Sequence, residues 1–458
     1  MDILTIEVGS TITKVNAFRL LPEGRFEPFA QGVAATTVEA GDVYIGAEAA
    51  MADLNANLEM PLENPEIHLN SSAAGGLRMT VHGLTLNMTA RAAREAALGA
   101  GAIIKKVTAG LLEDYDLAEI KEINPNIILL AGGVDYGEKS IVLRNAEKLA
   151  SLGLDAPLLY AGNIAIRDQV CQIFNGCGEQ EVLVTDNVFP DVDVLNVEPV
   201  RELIQEVFNR HIIHAPGMQR LRELTNKPIL PTPGAVLKGA ELFAEEMGDV
   251  LVVDVGGATT DVHSVTEGSL EWAPRMIEPE PRAKRTVEGD LGVFVNASNI
   301  IALSKDVEWE GCLDDLEAMP ATNKQIELTS WLTRRAVQTA IRRHAGVVSD
   351  LYTPSGKRQV VKGKDLTAIR WLVGTGGALT RIPGGKQILE GLCKGTGKYL
   401  LPTDSAEVLI DREYRFSALG TLAHQYPEEV KATFRYWTDR EMKKNHQENE
   451  DVHPYPQT

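Results

Sequence analysis

The chain has 458 residues, 44% apolar and 24% charged, the composition of a globular protein too long for one ordinary hydrophobic core. Its formal charge of −19 argues against nucleic acid or an anionic membrane surface as a partner, because either would repel it. Four irregularly spaced cysteines (Cys171, Cys177, Cys312, Cys393) form no disulfide framework, and no segment approaches the ~18 uninterrupted apolar residues that span a bilayer, so a cytoplasmic protein with buried structural thiols is expected.

The N-terminal run ILTIEVGSTITKVNAF, Ile3 to Phe18, carries apolar residues up to Glu7, breaks at Gly-Ser-Thr and resumes its alternation. That pattern predicts a β-hairpin with a small, hydroxyl-rich turn. GDVYIGAEAAMADL continues into a helix, SSAAGGLRMTVHGLTLNMT is a glycine-broken loop and a strand, and ARAAREAALGAGAIIKKV is an alanine-rich helix. Two strand–turn–helix units follow, NIILLAGGVDYGEKSIVLRNAEKLASLG and PLLYAGNIAIRDQVCQIF. Each sets glycine between an apolar strand and an amphipathic helix, the pattern of parallel βαβ crossovers. Neither holds a full Gly-x-Gly-x-x-Gly, so a nucleotide role there is the lesser reading. His211 and His214 close the amphipathic helix EPVRELIQEVFNRHII. With no acid or cysteine beside them they read as surface residues rather than metal ligands.

A proline-rich joint, NKPILPTPGAVLKGAELFAEEMGD, leads into a helix starting near Gly234. LVVDVGGATTDVHSV, Leu251 to Val265, then repeats the grammar of the first hairpin. KRTVEGDLGVFVNASNIIAL is a loop and a helix with Glu288, Gly289 and Asp290 at the junction, and ELTSWLTRRAVQTAIRRHAGVVSDL is a long helix. IRWLVGTGGALTRIPGGKQIL reads as strand, glycine turn and helix, and FSALGTLAHQY closes the fold. Residues 436–458 form a polar tail, expected to be disordered from about Glu441.

The turns EVGSTITK and DVGGATTD share one chemistry. Small residues (Gly9, Gly256, Gly257) let backbone N–H groups approach a ligand, hydroxyls of Ser10, Thr11, Thr259 and Thr260 add donors, and Lys14 adds positive charge. Such an array suits a phosphate chain. Glu7 and Asp254, each ending a strand, are placed to hold Mg²⁺ through water, and Asp261 to orient an attacking water or hydroxyl. The third turn, with Gly374, Gly376 and Gly377, lacks side chains that would block a planar base and ribose.

In order and content these motifs resemble the actin-like ATPase superfamily, which includes heat-shock chaperones and sugar kinases. Its first phosphate loop, linker helix, second phosphate loop, adenosine loop and second linker helix have counterparts in Glu7 to Lys14, PTPGAVLKGAELF, Asp254 to Asp261, GTGGALTRIPGG and FSALGTLA. Glu7 departs from the pattern, standing where an aspartate is usual; one extra methylene moves the carboxylate by about 1.5 Å. Over nearly its whole length the chain resembles the MutL-like accessory proteins of adenosylcobalamin-dependent glutamate mutase, on SSAAGGLRM, LLAGGVD, LLYAGN, DNVFP, PTPGAVL, VDVGGATTDVHSV and RTVEGDLG.

The resemblance implies a two-lobed α/β fold with nucleotide between the lobes. Residues 1–246 would form a first lobe enlarged by extra βα units, and 247–435 the second. It implies ATP and Mg²⁺ as cofactors, weak ATPase activity, and mutase subunits as partners that the protein reactivates or chaperones. Ser71 to Met79 and Leu130 to Asp135, outside the nucleotide motifs, are candidates for partner contact. The rival readings on this fold are a sugar or acid kinase with Asp261 as base, an iron–sulfur dehydratase activator, which the cysteine spacing disfavours, and a non-catalytic ATP-binding scaffold.

Overall fold

A computed structural model of the protein describes all residues except 39, 73–76, 179, 213–215, 305–308, 355, 394–396 and 451–458. His214 and the Ala-Ala-Gly-Gly centre of SSAAGGLRM therefore lie outside the described residues. In chain order the strands are β1 (Asp2–Val8), β2 (Ile12–Leu20), β3 (Phe26–Ala35), β4 (Glu66–Ser71), β5 (Arg78–Gly83), β6 (Ile103–Ala109), β7 (Ile127–Leu130), β8 (Leu158–Tyr160) and β9 (Val182–Val184). They continue as β10 (Ile229–Pro231), β11 (Val250–Val255), β12 (Thr260–Val265), β13 (Ala283–Glu288), β14 (Val347–Thr353), β15 (Gly356–Lys362), β16 (Trp371–Thr375) and β17 (Glu407–Ile410).

Two sheets repeat one plan. The first runs β3-β2-β1-β4-β10 and the second β13-β12-β11-β16-β17. In each, three strands form an antiparallel meander and two more add in parallel beyond the first strand of that meander. This doubled plan, with a helix leading from one sheet into the other, is the two-lobed actin-like ATPase fold. A third, all-parallel sheet, β6-β5-β7-β8-β9, is inserted between β4 and β10 and contains both expected βαβ crossovers.

The linker helices Thr232–Met247 and Arg415–Leu422 lie between the two doubled sheets, in a core shared by Ile3 and Phe18 of the first and Val250, Val252 and Trp371 of the second. Their contact rests on two glycines. A Cβ on Gly239 would sit 2.5 Å from the Phe416 carbonyl oxygen, and one on Gly420 would fall on the Ala235 carbonyl oxygen. Gly234, at the start of the first linker helix, faces Gln205 and the Ala100 carbonyl. Asn70 of β4, fully buried, accepts from Thr232 Oγ1 at 2.7 Å and donates to Thr421 Oγ1 at 2.8 Å, so one side chain holds both helices.

The terminal helix, Pro427–Glu450, runs through the first part of the polar stretch from 436, including residues past Glu441 where disorder is expected. Val430, Phe434 and Trp437 recur at spacings of four and three, so one face is buried despite the polar composition. Phe434 and Trp437 pack on Phe243 of the first linker helix, with ring centroids 5.3 and 6.4 Å away.

Gly420→Ala should lower stability by about 1–3 kcal/mol, the usual cost of overpacking, as read from urea unfolding. Gly176→Ala, in a helix where an added Cβ meets nothing within 4 Å, serves as the control and should be neutral or slightly stabilising.

Candidate functional site: a cleft between two matched hairpins

The two predicted hairpins form with the same register. Glu7 pairs with Lys14 across β1 and β2, and Asp254 with Asp261 across β11 and β12, each the first and eighth residue of its turn segment EVGSTITK or DVGGATTD. The turns close alike: the Gly9 N–H donates to Ile12 at 3.1 Å, and the Gly256 N–H to Thr259 at 2.9 Å. They also meet, because a Cβ on Gly257 would lie 3.1 Å from Thr11 Oγ1.

Between them opens a cleft of about 1210 Å³, lined by Glu7, Gly9, Ser10, Thr11 and Lys14 from one hairpin and Asp254, Gly256, Gly257, Thr259 and Asp261 from the other. Gly376 and Gly377 line it from the third turn. Two expected residues do not. Thr260 begins β12 with its side chain on the opposite face from Asp261, and its hydroxyl donates to the Leu291 carbonyl at 2.7 Å. Gly374 lies inside β16, where a Cβ would meet Leu389, Ile410 and Leu379, so it is a packing glycine.

Gly376 has φ +83°, and a Cβ there would lie 2.5 Å from Asp254 Oδ1, so glycine is required for both conformation and close approach. A Cβ on Gly377 meets nothing within 4 Å, and that position opens on the cleft.

The first hairpin carries a neutralised pair. Lys14 Nζ lies 2.5 Å from Glu7 Oε1 and 4.0 Å over the Tyr414 ring, and Ser417 donates to the other Glu7 oxygen. Burial works against the Lys14 charge, but Glu7, Tyr414 and Asp254 overcompensate and raise its pKa. The second hairpin sets acid against acid. Burial pushes Asp254 up to about 7; Lys14 pulls it back, while Glu7, Asp261 and Asp411 add like charge. Burial also lifts Asp411 to about 6 against the pull of Arg415.

Asp261 is pinned by Arg285, whose Nε and Nη2 lie 2.8 and 2.6 Å from Oδ1, while Thr259 Oγ1 donates to Oδ2 at 2.9 Å. Arg285 Nη1 donates across to the Leu98 carbonyl at 2.8 Å, tying β13 to the helix Arg91–Gly99 of the first lobe. Behind the second turn, the N–H groups of Phe294 and Val295 donate to the Gly257 carbonyl at 2.9 and 2.8 Å, and Asn296 Nδ2 to the Ala258 carbonyl at 2.8 Å. Arg343 holds Glu288 and Asp290 together at 2.6 and 2.7 Å on the cleft wall. The segment RTVEGDLG supplies Arg285, to which the sequence alone assigns no role. The pairing of β12 with β13, which sets it beside Asp261, has no local signal.

Among the described residues no group of three His, Cys, Asp or Glu side chains gathers to hold a metal, and no helix is long and apolar enough to cross a membrane.

The raised Asp254 pKa makes stability pH-dependent. In the unfolded chain the carboxyl ionises near 3.8; in the folded chain it ionises near 7. Rising pH therefore favours unfolding between those values, and the cost is constant above them. Asp254→Asn should stabilise the protein by about 1–4 kcal/mol at pH 8 and by much less at pH 5, checked by urea unfolding at both.

The profile of the MutL protein family matches residues 3–437. Protein MutL of Clostridium tetanomorphum is 38% identical over 452 residues, covering 93% of this chain and 97% of that one. Among solved structures, glycerol dehydratase reactivase aligns over 93% of this chain and 99% of its own, at 11% identity and a TM-score of 0.37. Nucleotide-free acetone carboxylase aligns over 92% and 70%, at 14% identity and a TM-score of 0.40. A match over nearly the whole chain is decisive: the protein belongs to the MutL family.

Proposed function

We propose that this protein is an ATP-dependent accessory factor that reactivates or chaperones an adenosylcobalamin-dependent mutase of the glutamate mutase type. The observation that carries the reading is the meeting of two matched turns across a cleft whose walls are joined by a glycine-packed pair of helices.

The residues present fit a magnesium nucleotide. Gly9, Ser10, Thr11, Gly256, Gly257 and Thr259 would take the phosphates with Lys14, which stays charged, and Gly377 leaves room for the adenosine side. Asp254 would hold the cation through water, giving up its proton to do so. Glu7 has both oxygens engaged, by Lys14 and Ser417, so it would act by fixing Lys14 rather than by meeting the metal. Asp261, oriented by Arg285 and Thr259, would align the attacking water. When bound, the nucleotide supplies a terminal phosphoryl group for transfer to water, with the cation neutralising its charge.

A nucleotide can shift lobe closure only through contacts that differ between open and closed states, and matched turns on opposite walls provide them. The partner contact would lie elsewhere. Leu130 to Asp135 reaches the carboxyl edge of the inserted sheet, where Asp135 accepts from the Ile164 N–H at 3.0 Å and Asn187 Nδ2 at 2.9 Å, and the adjoining Tyr136 is 78% exposed.

Gly377→Leu should leave the fold intact and raise the ATP dissociation constant at least about tenfold, ~1.4 kcal/mol, by calorimetry. For the function itself, a mutase is inactivated with hydroxocobalamin and given this protein, fresh adenosylcobalamin and nucleotide. Recovery should require hydrolysable ATP. Equal recovery with a non-hydrolysable analogue would leave a binding chaperone, and phosphorylation of a small acid or sugar would make the protein a kinase.

A further inference from the structure

The motif VDVGGATTDVHSV contains two polar side chains with no role in the foregoing account, Ser264, which bonds to His344, and His263. His263 is fully buried, yet it lines the cleft. Neither of its ring nitrogens meets a protein partner among the described residues. Other histidines buried to the same degree are treated differently. His82 sets its two nitrogens 2.8 and 3.0 Å from the hydroxyls of Thr108 and Thr80, and His344 sets its own 2.7 and 2.9 Å from Ser264 and Thr286. An unpaired donor and acceptor in a closed interior would cost a sizeable part of a protein's net stability, so a buried polar group of this kind is ordinarily bonded to ordered water.

The surroundings say what such water would reach. His263 and Asp261 stand two apart on β12, so they share one face about 7 Å apart along the strand. Arg285 is the residue directly opposite His263 on β13. Three of the five Arg285 N–H groups serve Asp261 and Leu98, which leaves two. Burial, then the Arg285 charge, hold the imidazole down to about 3 against the pull of Asp261. It is neutral at working pH, with one nitrogen donating and the other accepting.

We propose that His263 is a positioning residue whose ring nitrogens anchor ordered water in an inner recess of the cleft, and that this water, with Arg285, holds the hydrolytic water against the Asp261 carboxylate. The inference rests on the proposed ATP hydrolysis. In that step the water oxygen bonds to the terminal phosphorus as the bond to the ADP oxygen breaks, and the proton released passes to solvent along the same water.

The test uses the full chain with two substitutions. His263→Leu should lower kcat for ATP at least about tenfold, ~1.4 kcal/mol in the barrier, with ATP affinity by calorimetry within about twofold of wild type. His263→Gln, which keeps a donor and an acceptor, should retain most of the rate. Without nucleotide, the urea midpoint of His263→Leu should not rise. An unchanged kcat in His263→Leu, or a raised midpoint reporting relief of a dry, unpaired imidazole, would overturn the proposal. Absence of turnover in the wild-type chain would overturn the hydrolysis reading and the positioning role with it, whereas the midpoint comparison would still report whether His263 holds water.

Discussion

Everything in the cleft depends on how closely two short helices can approach. Gly239 and Gly420 remove the side chains that would hold the linker helices apart, and Asn70 bonds to both helices from the floor of the first sheet. Close packing makes interiors poorly compressible, so a shift of even a methyl group at this contact would be passed to both sheets. The separation of the sheets fixes the separation of their hairpins, and the hairpins meet at Thr11 and Gly257 with little to spare.

The doubled architecture places equivalent residues in unequal electrostatic settings. Both turn segments span eight residues and both begin with an acid, but the eighth residue is Lys14 in one and Asp261 in the other. The first pair is self-neutralising. The second is not, and it is completed from outside: Arg285 satisfies Asp261, while Asp254 is left with the burden of burial and like charge. Burial and like charge make the ionised form of this carboxyl costly, and a cation beside it would lower that cost.

The inserted parallel sheet is no appendage. The helix Arg91–Gly99, which follows β5, supplies the Leu98 carbonyl to Arg285 and the Arg91 side chain to Glu280 at 2.9 Å. Arg201, almost fully buried, donates from the first lobe to the Ala283 carbonyl of β13. The strand that orients Asp261 is therefore held by the insert on one side and by its own sheet on the other.

The sequence by itself determined the local grammar. Glu7 to Lys14 and Asp254 to Asp261 were legible as hairpins because strand alternation and glycine turns are properties of a few adjacent residues. The parallel crossovers of the insert were legible for the same reason. The assignment of residues to the cleft was less complete. Thr260 sits one residue from Asp261 and shares its chemistry, but a strand sends neighbours to opposite faces, and only the placement of the sheet says which face is the cleft. Gly374 and Gly376 read alike in GTGG, yet one packs in the core and the other abuts Asp254. The terminal helix reads as polar because Phe434 and Trp437 matter only when Phe243 is there to receive them. Arg285 and His263 gained their places from strand pairing and burial, which bring together groups that composition and spacing keep apart.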